Sequence, residues 1–527
     1  MAVEKVIKEE KIFQNVSFSL LSVLFLLFLS ASAGFVFGIG INSFSIILSV
    51  ALGMTAPFLL RTSDAEEFLL GIVIIFSFIA LSLQISEAVT DVSYDGRWYH
   101  QPAALFLKKG WNPVYVRASD FLAAHWTIKD ISSLSFIESY PKASEIISAC
   151  IFYLTDNIQT GKAVNLLASA ALFFYLLYIF TAYFPDLIGI FRFLFSFVAI
   201  INPVVLAQVH TGYVDGPVYI YFMFVLFSII ELEKTNRQSK AGLFVFIMSL
   251  TLLAGTKMTG GLYAAEIAFF YLLYLQRHEQ HIEKLKRICL IIVTLIFITN
   301  INPYLTNLCH GKHLFYPVFG NENNIVTHNV PKYFLNKSIP YKFFMSLFTT
   351  VKNSSVELPH TNSPIKIKVP FTYSSDEKRE LGFPDLRLSG FGIWESGILL
   401  LSLLLLPFTR KNSKTDRSLY HLIMLILVTS VLTNPYNWWA RLIPQFYAIP
   451  LFIVLFFTIK RSSVYRYSFA GVLLFLMISN SLFTYMEVSY RITLLSETIA
   501  IEYTTLSDSS GRLIESKTIQ ALMLTEK

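Results

Sequence analysis

The sequence predicts an all-α, polytopic membrane protein, and three observations carry that prediction. Apolar runs long enough to cross a hydrocarbon core recur from Val16 to Thr484. Hydrophobic residues fill 54% of the 527 positions and charged ones only 15%, giving a mean hydropathy of +0.57, far above that of soluble domains. Short basic loops separate many of the runs, as expected where charge orients a membrane chain. Helices satisfy their own backbone in a bilayer, and the short alternating segments of a β-barrel are not seen. The net charge of +7 is then explained by orienting loops, and nucleic acid is not implied as a partner. Cys150, Cys289 and Cys309 are too few for a disulfide framework.

Taken in order, Lys5, Lys8 and Lys11 precede the run 16–37 and place the N-terminus in the cytoplasm. That run is long, has no small-residue cleavage site and leads into another span, so it reads as a retained helix. Spans near 41–60 and 68–85 follow, and three crossings bring Asp91 to the external face. Residues 88–162 form a first external loop, in which PAALFLKKG and YPKASEIISACIFYL are expected as interfacial helices. Further spans lie near 163–184, 187–206 and 216–232. The stretch 241–275 fits one long helix or two short ones, and the basic loops at both ends favour two short spans turning at GTKMTGG on the external side. A span near 288–301 leads into 302–394, a loop too long for a simple connection and expected as an external subdomain. Spans near 393–407, 418–432, 443–459 and 467–484 complete about thirteen helices. The expected organisation is therefore N-terminal transmembrane helices over 1–301, the large loop over 302–394, C-terminal transmembrane helices over 395–486, and an external tail over 487–527.

On this topology five polar clusters fall on one face: DVSYDGRWYHQ, AQVHTGYVDGP, GTKMTGG, NINPYLTN with HGKHLFYP, and NPYNWWARLIPQ. Ionisable residues gathered at helix ends around a shared cavity are the signature of a membrane-protein site. Asp95 stands beside Gly96, which permits close backbone approach, and a partly desolvated carboxylate there is a candidate general base. Its alternative is a helix N-cap. Asp91 is a second catalytic candidate, and His100 a supporting one. Lys257 and Arg441 are cations at the ends of apolar spans, suited either to snorkelling or to holding a phosphate, for which an Arg fork fits best. Asp215 either caps the helix after it or binds a sugar hydroxyl. Tyr94, Arg97, His210 and Trp438 complete the substrate-binding candidates. No His/Cys metal spacing, phosphate-binding Gly loop or nucleophile elbow occurs, which leaves a divalent metal open and points to no other cofactor.

Tyr94-Asp95-Gly96 with its following aromatics resembles the Asp-containing motif of the oligosaccharyltransferase catalytic subunit. YPKASEI, YVDGP, GTKMTG, HGKHLFYP and NPYNWWARLIPQ are similar to segments of bacterial GT-C fold glycosyltransferases. The resemblance implies a GT-C-like bundle in the inner (cytoplasmic) membrane with its active site external, or periplasmic. It implies a polyprenyl-phosphate-linked sugar as donor and a surface glycan or lipid-linked acceptor. Asp95 would deprotonate the acceptor, Asp91 would orient it, and Arg441 or Lys257 would stabilise the leaving phosphate. One departure stands out: the acidic loop follows three spans here and the first span in better-known members, implying two extra N-terminal helices or a distinct subfamily. A transporter or flippase of lipid-linked sugars is the alternative, and would place its ionisable groups mid-membrane on broken, repeated helices. An O-antigen polymerase or ligase would carry arginine-rich external loops.

Overall fold

A computed structural model describes residues 2–59, 64–126, 133–278, 282–317, 330–352, 366–409, 414–459 and 463–507. The loop segments 318–329 and 353–365, the basic turns at 410–413 and 460–462, and the chain after Ser507 lie outside the described residues.

Each predicted apolar run carries a helix. Among the described residues six helices are long and apolar enough to cross a membrane: Glu9–Val36, Ala65–Ala88, Ile158–Tyr183, Asp215–Lys234, Met258–Arg277 and Val464–Ser496. Cys289–Thr299 and Ile301–Cys309, bent by 73° to each other, make a seventh if the pair counts as one span. Shorter apolar helices such as Ser43–Leu59, Gly189–Ile200 and Lys240–Thr256 pack among them. The result is a helical, multi-pass membrane architecture.

Asp215–Lys234 is the axis of the bundle. Its whole apolar window is buried, flanked by Ala163–Tyr183 and Lys240–Thr256. At the opposite extreme, Ala65–Ala88 leaves Leu69, Val73 and Phe76 exposed, which in a bilayer is a lipid-facing surface. Helices Ala2–Val36 and Ser43–Leu59 pack closely because Gly53 meets Val23, where a β-carbon would come within 2.6 Å.

Lys11 Nζ lies 2.9 Å from Asp64 Oδ2, so the first helix and Ala65–Ala88 begin at the same end of the bundle. Ala65–Ala88 then delivers Asp91 to the other end, as the crossing count expected. The two helices expected within 241–275 are Lys240–Thr256 and Met258–His278. The turn between them shrinks from GTKMTGG to the single extended residue Lys257 (φ −157°, ψ 156°), because Met258 already begins the next helix.

Two other expectations change. Gln101–Lys108 and Ala143–Thr155 are not surface helices: every residue from Gln101 to Leu107 is buried, and the two pack on each other and on the bundle. Most of their apolar side chains meet protein, with Leu154 left exposed at the end of the second helix. The tail expected after the last span also starts as helix, since that span continues unbroken through Val464–Ser507. Its 44 residues reach roughly 66 Å at 1.5 Å per residue, about twice a hydrocarbon core. The projecting part packs on Ser375–Leu381 of the large loop, with Lys378 Nζ 3.5 Å from Glu487 Oε1. Isolated bridges join Thr349 to Ile367 and Lys352 to Leu388 within that loop, and a further one joins Leu388 to Trp439 beyond it.

Candidate active site

The segment that presents Asp95 is fixed from behind by Asp91. Asp91 is buried, and its carboxylate accepts from the Ser93 amide (2.8 Å) and the Gly212 amide (2.6 Å), while its own N–H donates to Gln159 (3.0 Å). A β-carbon on Gly96 would lie 2.2 Å from the Asp91 carboxylate and 2.3 Å from the Ser93 hydroxyl, so only glycine fits. The chain then widens into a π-turn over Gly96–His100, a local distortion found often at functional sites. Asp95 makes no side-chain capping bond to this turn. Arg441 Nη1 donates to its carboxylate at 2.7 Å, across 346 positions of sequence.

Arg441 is the hub. Besides Asp95 it approaches Asp215 Oδ2 at 3.5 Å, and its Nε stands 2.7 Å from Asp385 Oδ1 without the alignment of a hydrogen bond. Lys257 pairs with Asp215, and Arg387 pairs with Asp385. The Arg441 guanidinium lies 4.7 Å from the Tyr213 ring and 4.9 Å from that of Trp439, and Arg387 shares the Trp439 ring at 4.8 Å. Buried ion pairs recover their desolvation cost poorly, so a network of this size is weak evidence for a stability device. The loop carrying Asp385 and Arg387 holds Leu386 at φ 41°, a left-handed conformation that costs a branched side chain about 1–2 kcal/mol. Full burial of Leu386 secures it, and the Trp439 indole N–H donates to the Asp385 carbonyl at 2.9 Å.

These groups face a cavity of about 890 Å³, ample for a sugar with its phosphate and part of a lipid chain. One wall is aromatic: Trp98 lies 4.9 Å from Phe136 and 5.3 Å from Tyr94, and Tyr99 lies 5.5 Å from Tyr140. Another is aliphatic, from Leu262, Leu442, Ile492 and Leu495. Phe315 and Pro317, from the HGKHLFYP cluster, close a third side. All five polar clusters of the sequence therefore meet at one end of the bundle.

Burial opposes the charge on Asp95, but the guanidinium of Arg441 outweighs it by charge and hydrogen bond, with His100 and Lys257 adding from further off. The carboxyl is held below its usual range, ionised and weakly basic. Burial also opposes the charge on Arg441, yet the surrounding carboxylates, Asp385 first and Asp95 next, hold its pKa far above the ordinary value. The carboxylates are engaged with cations, and among the described residues no group of three His, Cys, Asp or Glu side chains is arranged to hold a metal ion. Among the described residues these side chains do not form a metal-binding set.

The site candidates divide into those that line the cavity and those that back it. Asp95, Tyr94, Lys257 and Arg441 line it, and Asp215 sits just beneath, bound to two of the cations. Snorkelling does not describe Lys257 or Arg441, because both are buried against carboxylates. Asp91 is turned away into its amide contacts. His100 ends the π-turn with its side chain buried away from the cavity lining, its Nδ1 2.6 Å from Glu145 Oε1. Arg97 is half-buried and outside the cavity lining. His210 pairs with the Tyr485 hydroxyl at 3.1 Å, and Trp438 stacks behind Trp439 at 5.4 Å. Sequence reasoning missed Asp385, Arg387 and Trp439 itself. The only signal for the first two was an acid and a base flanking a buried leucine in GFPDLRLSG, within a loop where charges are common. Comparison with protein-family models, with curated proteins and with solved structures gave no match.

Proposed function

We propose that the protein is a membrane glycosyltransferase of GT-C type. It takes a sugar from a polyprenyl-phosphate carrier and gives it to a glycan or lipid-linked acceptor at the external face of the cytoplasmic membrane. On this reading the chain makes about thirteen crossings, with shorter helices counted, and its N-terminus is cytoplasmic. One observation supports the proposal above others: Asp95, Asp215 and Asp385, from three distant segments, are gathered on Arg441 at a large cavity with an aromatic and an aliphatic wall. Cations suit the phosphate, aromatic rings suit a sugar face, and the aliphatic wall suits a prenyl chain.

The network also suggests an order of events. At rest Asp95 is a poor base, because Arg441 stabilises its charge. A donor phosphate competes for the same guanidinium. As Arg441 turns to the phosphate, burial of Asp95 is no longer offset, and its basicity rises. Asp95 then takes the proton of the acceptor hydroxyl. The acceptor oxygen bonds to the anomeric carbon, the bond from that carbon to the phosphate oxygen breaks, and the charge on the departing lipid phosphate is held by Arg441 and Lys257. Donor binding thereby precedes acceptor activation, which protects the donor from water.

The test offers purified protein the same labelled sugar in two forms, on a polyprenyl phosphate and on a nucleoside diphosphate. Transfer from the lipid form, lost in Asp95→Asn, is the expected result. Transfer from the nucleotide form alone, or full activity in Asp95→Asn, overturns the proposal.

A further inference from the structure

Four cations belong to the cavity region, Lys257, Arg387, Arg441 and Arg491, and three carboxylates oppose them, Asp95, Asp215 and Asp385. The first three cations are paired with those acids. Arg491 is different. Among the described residues it makes no ion pair, and its Nε has no hydrogen-bond partner although shielded from solvent. Its guanidinium instead lies 3.5 Å from the centre of the Phe383 ring, two residues from Asp385. Glu380 acts on Arg491 through its charge without closing an ion pair, so this guanidinium is the cation of the cavity lining that no carboxylate among the described residues holds directly.

Its neighbours on Val464–Ser507 complete a chemical pattern. Ile492 and Leu495 line the same cavity, and Leu495, at i+4, lies one helical turn from Arg491 on the same helix face. Leu495 is 38% exposed. A cation with an aliphatic track beside it recognises an anionic amphiphile, with the phosphate on the guanidinium and the chain along the helix. A soluble phosphate compound would gain nothing from the track.

We propose that Arg491, Ile492 and Leu495 form a landing station for the phosphate and proximal chain of a lipid phosphate, separate from the Arg441 centre. The station rests on the lipid-phosphate reading of the cavity and adds a second phosphate position to it. Gly382–Arg387 links the two, because Phe383 contacts Arg491 while Asp385 contacts Arg441. A phosphate on Arg491 is thus placed beside the loop whose carboxylate must yield when the phosphate moves to Arg441. No bond is made or broken at the station.

The experiment measures binding of farnesyl phosphate to the detergent-purified full chain, with farnesol and inorganic phosphate as separate probes. Wild type, Arg491→Ala, Arg491→Lys, Leu495→Asp and Arg441→Lys are compared, each checked for an unchanged melting temperature. The expected result is saturable binding of farnesyl phosphate alone, weakened about tenfold in Arg491→Ala, which corresponds to roughly 1.4 kcal/mol. Arg491→Lys recovers most of the affinity, and Leu495→Asp loses it while leaving any response to inorganic phosphate unaltered. Wild-type affinity in both Arg491→Ala and Leu495→Asp, with binding abolished in Arg441→Lys, overturns the station and leaves the transferase reading standing. Equal binding of inorganic phosphate and farnesyl phosphate overturns the lipid assignment. Absence of farnesyl phosphate binding to wild type overturns both.

Discussion

Asp215–Lys234 carries three buried acids, Asp215, Glu231 and Glu233, and the first two, near opposite ends, are built to opposite designs. Near the C-terminal end, Glu231 accepts hydrogen bonds from Tyr175 (2.6 Å), Tyr178 (3.1 Å) and Ser239 (2.6 Å), all neutral donors on neighbouring segments. It lies outside the cavity lining and works as a polar clasp between helices. At the N-terminal end, Asp215 meets Lys257 and Arg441, and the network it joins opens into a cavity. Burial of an acid is common to both and so does not identify a site. Charged partners recruited from distant segments, together with space for a ligand, make the difference.

The largest contrast is expected from removing the hub, Arg441. Arg441→Leu strands Asp95 and takes a shared counter-charge from Asp215 and Asp385, which keep Lys257 and Arg387, and it should lower stability by about 3–5 kcal/mol, read as a fall in melting temperature, with transfer lost. Arg441→Lys keeps the charge but loses the fork, so it should fold well and still transfer poorly. A fully active Arg441→Lys would break the comparison, since any cation would then serve. Asp385→Asn should come next. It removes a counter-charge shared by Arg441 and Arg387 and should slow transfer about tenfold, equivalent to about 1.4 kcal/mol in the barrier, while the melting temperature moves little. Glu231→Gln should cost about 1–3 kcal/mol of stability and leave the turnover of folded protein unchanged.

A smaller effect should be seen with pH. Burial, and then the charge of Lys162, lower the His210 pKa to about 4 from an ordinary 6.5. Between those values the unfolded chain binds a proton that the folded chain refuses, so stability falls as pH drops from 6.5 towards 4. His210→Gln should flatten that part of the melting-temperature profile; an unaltered slope would assign it to another group.

Much of this design was legible because membranes impose strong constraints. Apolar runs became helices, and counting crossings put five polar clusters at one end, where they in fact converge. Asp95, Lys257 and Arg441 stood out because a charge at the end of an apolar run is costly. Asp385, Arg387 and Arg491 did not, since they are charges among charges in a long loop and a tail, and only folding shows which of them turn inward. Adjacency misled in the other direction. Asp91 and His100 flank Asp95 in sequence, but the π-turn and the tight fit of Gly96 send their side chains behind the cavity wall. Trp438 was singled out when its neighbour Trp439 holds the guanidinium, a choice that the side of the backbone decides and composition does not.

The most direct test compares the two kinds of buried acid in one assay: turnover of wild type, Asp95→Asn and Glu231→Gln with a sugar carried on polyprenyl phosphate, normalised to folded protein. The account predicts a fall of about 10²–10⁴-fold for Asp95→Asn and a change within about twofold for Glu231→Gln. Wild-type turnover in folded Asp95→Asn, or an equal loss in both variants, would contradict it.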